Sequence, residues 1–202
     1  MIKAIIFDLG GVLLDMSPLL DYFAEIFKIQ EKDKSKFWHL IAIEFIPYCK
    51  GEMTGFKGWK KIAKKLGKKI PDKILRNLWT ERFEELTHVD NEVKDIIISL
   101  KKNYTVAAIT NISEEHVKIN EKRGFFDIFD ELILSNKIGM TKDDKRIFEY
   151  TLKKLSCKPE ECVFVDDIQE FVNMAESIGM KGILFENAAQ LKKDLKKLGV
   201  KR

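Results

Sequence analysis

The chain has 202 residues, 45% hydrophobic and 34% charged, with 36 basic against 32 acidic side chains and a formal charge of +4. That length buries a core without disulfide help, and charges scattered in mixed runs give no case for a nucleic-acid partner. No apolar run approaches the roughly 18 residues a membrane span needs, so no membrane role is expected.

The amino end carries a single Lys3 and an apolar run that stops at Asp8, which is not the pattern of a signal peptide. Cys49, Cys157 and Cys162 are odd in number and lack a CxxC pair, as reduced packing thiols of a cytoplasmic protein would be. Ala4 to Phe7 is short and wholly apolar, the mark of a strand buried on both faces of a parallel sheet. From Ser17 to about Leu86 the apolar residues fall at helical spacing, broken near Gly51, Gly55 and Gly67 to Pro71, and no strand is expected there. Within it the Lys-rich stretch Lys57 to Lys69 is interleaved with Trp59, Ile62 and Leu66, so its lysines form the solvated face of an amphipathic helix.

Beyond that stretch the pattern alternates. Helix is expected at Val93 to Leu100, strand at Thr105 to Ile109, helix from Ile112 to Glu121, and strand at Leu132 to Leu134. Helix follows at Arg146 to Leu155, strand at Cys162 to Val165, helix at Val172 to Ile178, strand at Gly182 to Phe185, and a closing helix at Ala188 to Leu198. Alternation of this kind implies right-handed crossovers and an α/β, Rossmann-like parallel sheet flanked by helices. The helical stretch is then an inserted α-helical cap of residues 17–87, and residues 1–16 and 88–202 form the core. A cap on such a sheet sits over the carboxyl ends of the strands, where open α/β sheets bind ligands.

Those strand ends carry the chemistry. The first strand ends at Asp8, the second at Thr110 and Asn111, the fourth at Asp166 and Asp167, and Lys142 lies in the loop G-M-T-K-D-D after the third. Carboxylates meeting in one cleft stay ionised most cheaply around a cation, and hard oxygen ligands suit Mg²⁺. A cation, a lysine, a hydroxyl and backbone amides near glycines make a cradle for a phosphoryl group, with an aspartate available as nucleophile. Each element alone has a structural explanation: turn chemistry for Asp8 before Gly10 and Gly11, a helix cap for the paired aspartates, a surface ion pair for Lys142. Their order, each after an apolar strand, is what carries the signal.

In that order the chain resembles the haloacid dehalogenase-like hydrolase superfamily, in the subgroup with a helical cap after the first strand. I-I-F-D-L-G-G-V-L-L is similar to its first motif, A-A-I-T-N to its second, I-G-M-T-K-D-D-K-R-I-F to its third and V-F-V-D-D to its fourth. The resemblance implies that Asp8 is the nucleophile and that Asp8, the carbonyl of Gly10 and Asp167 ligate Mg²⁺, with Asp166 ligating directly or through water. It also implies that Thr110 bonds a phosphoryl oxygen, Asn111 helps position the group, and Lys142 neutralises nucleophile and phosphoryl. The expected function is a Mg²⁺-dependent phosphatase of a small phosphorylated cytoplasmic metabolite such as a sugar phosphate, acting through an aspartyl-phosphate as a monomer or homodimer.

Many phosphatases of the superfamily carry a second aspartate two residues after the nucleophile, and here Gly10 stands there. Losing a general acid-base costs on the order of 10²- to 10⁴-fold. A substrate with a good leaving group or a proton donor in the cap would compensate. The alternative is a non-catalytic protein of the same fold; a haloacid dehalogenase is disfavoured, since it would not need Asp166 and Asp167. Two smaller departures are K-D-D-K where the third motif usually reads K-P-D-P, and Phe171 where an asparagine is common. His39, His88 and His116 are candidate proton donors that read first as surface or packing residues, and Trp38, Trp59 and Trp79 read as core. Asp15 and the segment Tyr48 to Met53 are expected to face the cleft as hinge and cap edge.

Overall fold

The structure, a computed structural model, describes residues 1–201. Strands β1 (Ala4–Phe7), β4 (Thr105–Thr110), β5 (Glu131–Leu134), β6 (Cys162–Asp166) and β7 (Lys181–Leu184) form one parallel sheet in the order β5-β4-β1-β6-β7. The chain builds outward from β1 to one edge, then returns to β1's other side, so its direction reverses beside β1. In open α/β sheets a crevice opens at that reversal, outside the carboxyl ends of the strands.

Side-chain alternation explains why β1 and β6 read as unbroken apolar runs. Ile5, Phe7, Val163 and Val165 join the core on one face, while Ala4, Ile6, Cys162 and Phe164 join the core on the other. Helices cover both faces, among them α7 (Asn91–Leu100), α8 (Glu114–Lys122), α10 (Lys145–Leu155), α11 (Gln169–Ser177) and α12 (Ala188–Lys197). A short α9 (Ser135–Ile138) follows β5 and ends on Gly139 at φ 66°.

Between residues 17 and 87 the chain is helical, with α1 (Ser17–Phe27), α2 (Lys34–Glu44), α3 (Ile46–Cys49), α4 (Gly55–Lys65), α5 (Asp72–Asn77) and α6 (Phe83–Leu86). Its centre is aromatic: Trp59 meets Phe23 at 4.7 Å and Phe45 at 4.9 Å, and Phe45 stacks on Trp79 at 4.6 Å between ring centroids. The lysines of α4 stand outside, and two of them, Lys61 and Lys65, close on the buried carboxylate of Glu44. That pairing supplies the charge compensation a buried glutamate requires.

Two strands of two residues, β2 (Leu14–Asp15) and β3 (His88–Val89), pair antiparallel at the two ends of this insertion. Nothing in the periodicity announces them, because two residues set no period. Three expected boundaries shift for a local reason. β4 and β6 run on to Thr110 and Asp166, so those two site residues close the ladders rather than follow them. α8 begins at Glu114, not Ile112, because the Ser113 hydroxyl accepts the His116 N–H and caps the helix there.

Candidate active site

Asp8 extends β1 by one residue, its N–H donating to the Val165 carbonyl at 2.9 Å. The chain then turns tightly: the N–H groups of Leu13 and Leu14 both reach the Leu9 carbonyl, at 2.9 and 2.7 Å, and Gly11 sits at φ 83°. Gly11 is required twice over. Its φ is left-handed, and a Cβ there would lie 2.2 Å from Asp167 Oδ2, so only glycine lets the Asp167 carboxylate rest on the turn.

Lys142 is fully buried, its ammonium 2.9 Å from Asp8 Oδ2 and 2.6 Å from Asp166 Oδ2. Its backbone N–H donates to Asn111 Oδ1 at 3.0 Å, which fixes the loop that carries it. The face of Phe171 lies 4.8 Å from the same ammonium. Burial alone would lower the lysine pKa, but the charges of Asp166 and Asp8, and hydrogen bonds to both, outweigh it and hold Lys142 above its ordinary value.

Asp166 is spoken for on both oxygens, since Oδ2 takes Lys142 and Oδ1 accepts the Ile168 N–H at 2.9 Å. Asp8 Oδ1 and Asp167 Oδ1, by contrast, are buried with no partner among the described residues. Oxygens of Asp8, Asp166 and Asp167 lie within 4.8 Å of one another. Burial, then the neighbouring carboxylates, raise Asp166 well above the usual range and push Asp167 up to about 6. Two orphaned carboxylate oxygens in a crowded, desolvated acidic group are what a hard divalent cation would satisfy. The donor set therefore fits a Mg²⁺ held by Asp8 and Asp167, with Asp166 committed to Lys142.

The cluster opens into a cleft of about 100 Å³ lined also by Gly10, Thr110 and Asn111. All seven residues expected at the site thus come from the ends of β1, β4 and β6 and from the Lys142 loop to one place.

The protein-family model for haloacid dehalogenase-like hydrolases matches residues 2–179. The chain belongs to this family. Among curated relatives it is 26% identical over 204 residues to a D-ribitol-5-phosphate phosphatase of Bacteroides thetaiotaomicron, covering 96% of this chain and 97% of the relative. It is 27% identical to drimenol cyclase drtB of Aspergillus calidoustus, covering 96% of this chain but spanning only 36% of that protein's length. In fold it is similar to a haloacid dehalogenase family enzyme of B. thetaiotaomicron solved in complex with magnesium and inorganic phosphate. That likeness has a TM-score of 0.63 at 24% sequence identity and covers 95% of this chain and 99% of the other.

Three points in this haloacid dehalogenase-like hydrolase depart from what the motifs alone suggest. Phe171, where an asparagine is common, sets its ring against the Lys142 ammonium and lines the cleft. The charged K-D-D-K loop is tied down without prolines: Thr141 bonds Asp143, Asp143 faces Lys50 of the insertion at 3.5 Å, and Asp144 caps α10. Asp15 is not at the cleft. It lies exposed in β2 and accepts the Ser17 N–H at 2.9 Å, while Cys49 is the residue of the segment Tyr48 to Met53 that lines the cleft.

The histidines are not free proton donors. His88 is exposed in β3, and His39 faces Glu170 on the surface at 3.6 Å. His116 does line the cleft, but Trp79 holds both its nitrogens: the indole N–H donates to Nδ1 and Nε2 reaches the Trp79 carbonyl, each at 3.0 Å. It also stacks on Phe83 at 3.9 Å, so it latches the insertion to α8. Sequence spacing could not show this, because Trp79 lies 37 residues away.

Burial lowers the His116 pKa to about 4. Between that value and the ordinary 6.5 the unfolded chain binds more protons, so stability falls as pH drops through this window. The expected loss is on the order of 3 kcal/mol. Urea midpoints of wild type and His116→Gln at pH 7.5 and pH 4.5 test it: the wild type should show the steeper acid loss, and parallel slopes would refute the latch as the cause.

Proposed function

We propose that this protein is a Mg²⁺-dependent phosphomonoester hydrolase of a small phosphorylated metabolite, working through an aspartyl-phosphate on Asp8. The observation that carries the reading is the Asp8 carboxylate, held through Oδ2 by a buried lysine while Oδ1 is unpartnered beside the cleft. A bound Mg²⁺ would supply positive charge to the phosphoryl oxygens and to the carboxylates around it. Asp8 attacks phosphorus, the bond from phosphorus to the ester oxygen breaks, and the alkoxide departs as the alcohol after taking a proton from solvent, since Gly10 supplies none. Water then cleaves the acyl phosphate, releasing inorganic phosphate and regenerating the Asp8 carboxylate. Lys142 offsets charge as phosphoryl and carboxylate approach, Thr110 bonds a phosphoryl oxygen, and Asn111 holds the Lys142 loop. Gly10 would offer its carbonyl to the metal. Residues 17–87 act as a cap over a core of residues 1–16 and 88–202, with the paired β2 and β3 as its hinge. The phosphatase relative of B. thetaiotaomicron, matched over nearly its whole length, supports the reaction class.

Phosphate release from acetyl phosphate and p-nitrophenyl phosphate, with Mg²⁺ and with EDTA, tests the proposal. Turnover that needs the metal is the expected result. None from either substrate, in a protein that folds, would leave the non-catalytic reading, which Gly10 favours.

Gly10 also admits a sharper test. Its φ is not left-handed, and a Cβ built on it meets only the Met16 side chain, at 3.9 Å. A side chain therefore fits, and what position 10 lacks is chemistry rather than room. Gly10→Asp is expected to fold and to raise kcat/KM on an alkyl phosphate by roughly 10- to 100-fold, through a new general acid. An unchanged rate would place the leaving-group proton elsewhere.

A further inference from the structure

Resting on the phosphomonoesterase reading, we infer that the ester's alcohol is a compact hydrocarbon bearing at most one acceptor oxygen, not a polyol or sugar. Away from the charged cluster the cleft walls are apolar. Trp38, Ile41 and Ala42 of α2 with Phe45 form one wall, and Met16 and Phe171 stand on the core side. Polar side chains that remain are already committed. His116 spends both nitrogens on Trp79, the Trp38 indole N–H donates to Asp167 Oδ2 at 3.4 Å, and Asn111 gives its oxygen to the Lys142 amide, leaving its Nδ2 at the phosphoryl end. Asn120, 1% exposed, turns Oδ1 to the Arg123 guanidinium, which can only donate, so the amide orientation is settled. Its Nδ2 is left buried and without a partner. Beyond the phosphoryl end, where Thr110 and the Asn111 amide stand, the Asn120 amide is the one unpartnered side-chain donor of the lining among the described residues.

A polyol needs a donor and an acceptor for every hydroxyl it buries, and each one left unmatched costs roughly tenfold in affinity. A hydrocarbon frame makes no such demand and gains from removing apolar wall from water. The cleft, about 100 Å³, suits a small frame such as a single ring or a short branched chain laid against these walls. A sugar phosphate, the expectation from the motifs alone, meets a single unpartnered amide in this lining for all of its hydroxyls.

The test compares kcat/KM of the full chain with Mg²⁺ on benzyl phosphate and 3-methylbutyl phosphate against glycerol 3-phosphate and D-ribitol 5-phosphate. All four lose a primary alcohol, and the neighbouring hydroxyls make the two polyols the better leaving groups, so leaving-group strength works against the expected result. Acetyl phosphate, whose carbon frame is too small to use the walls, reports the Asp8 chemistry alone. The expected result is an advantage of about 30-fold or more for the two hydrocarbon esters. Polyol phosphates turned over as well or better, or acetyl phosphate alone hydrolysed, would overturn this inference and leave the phosphatase reading standing. No release from any of the five would overturn both.

Discussion

Asp8→Asn should abolish metal-dependent phosphate release, by at least about 10⁴-fold, while leaving the fold intact. The substitution swaps one carboxylate oxygen for an amide nitrogen at a strand end whose backbone bond to Val165 it does not touch. An asparagine oxygen can still accept from Lys142, and Asp166 keeps that lysine paired at 2.6 Å, so no buried ammonium is stranded. What disappears is the anionic nucleophile and one of the two orphaned oxygens offered to a cation. Melting temperature and phosphate release must therefore be measured on the same preparation. Retained folding with lost turnover is the expected pair of results. Turnover within tenfold of wild type would show that another group attacks phosphorus.

Most of the framework was legible from one dimension because burial on both sheet faces leaves a signature. Ala4–Phe7 matches β1 residue for residue, since an unbroken apolar run of that length bounded by Asp8 has few other homes. The gathering of the candidate residues was legible for a related reason. Strand ends in a parallel sheet converge, so reading each apolar run to its last residue brings Asp8, Thr110 and Asp166 to one edge. What the sequence concealed is pairwise and distant. Asp166 and Asp167 look equivalent in V-F-V-D-D, yet one is spent on Lys142 and the Ile168 amide while the other rests Oδ2 on Gly11 and keeps Oδ1 free among the described residues. Equally hidden were the Phe171 ring beside Lys142 and the grip of Trp79 on His116, contacts that only the packing of insertion on core determines.

Lys142→Met should be the most destabilising single change at the site. Methionine matches the lysine stem in length and would fill its space, so the effect isolates the charge. Without the ammonium, the carboxylates of Asp8 and Asp166 lose their shared cation in a site where both are buried. Removing one partner from a buried ion pair costs about 3–5 kcal/mol, which for a chain of this size lowers Tm by about 10 °C. Turnover should fall as well, by about 10²- to 10³-fold, because the same ammonium would meet the charge that develops on the transferring phosphoryl group. The double variant Lys142→Met/Asp166→Asn separates the two effects. Asparagine keeps an oxygen for the Ile168 amide but carries no charge, so it should recover roughly half of the lost stability and none of the lost turnover. A single variant melting within about 2 °C of wild type would mean that Lys142 contributes nothing net to folding. Recovery of turnover in the double variant would mean that the lysine acts only by neutralising Asp166, and its place in phosphoryl transfer would have to be given up.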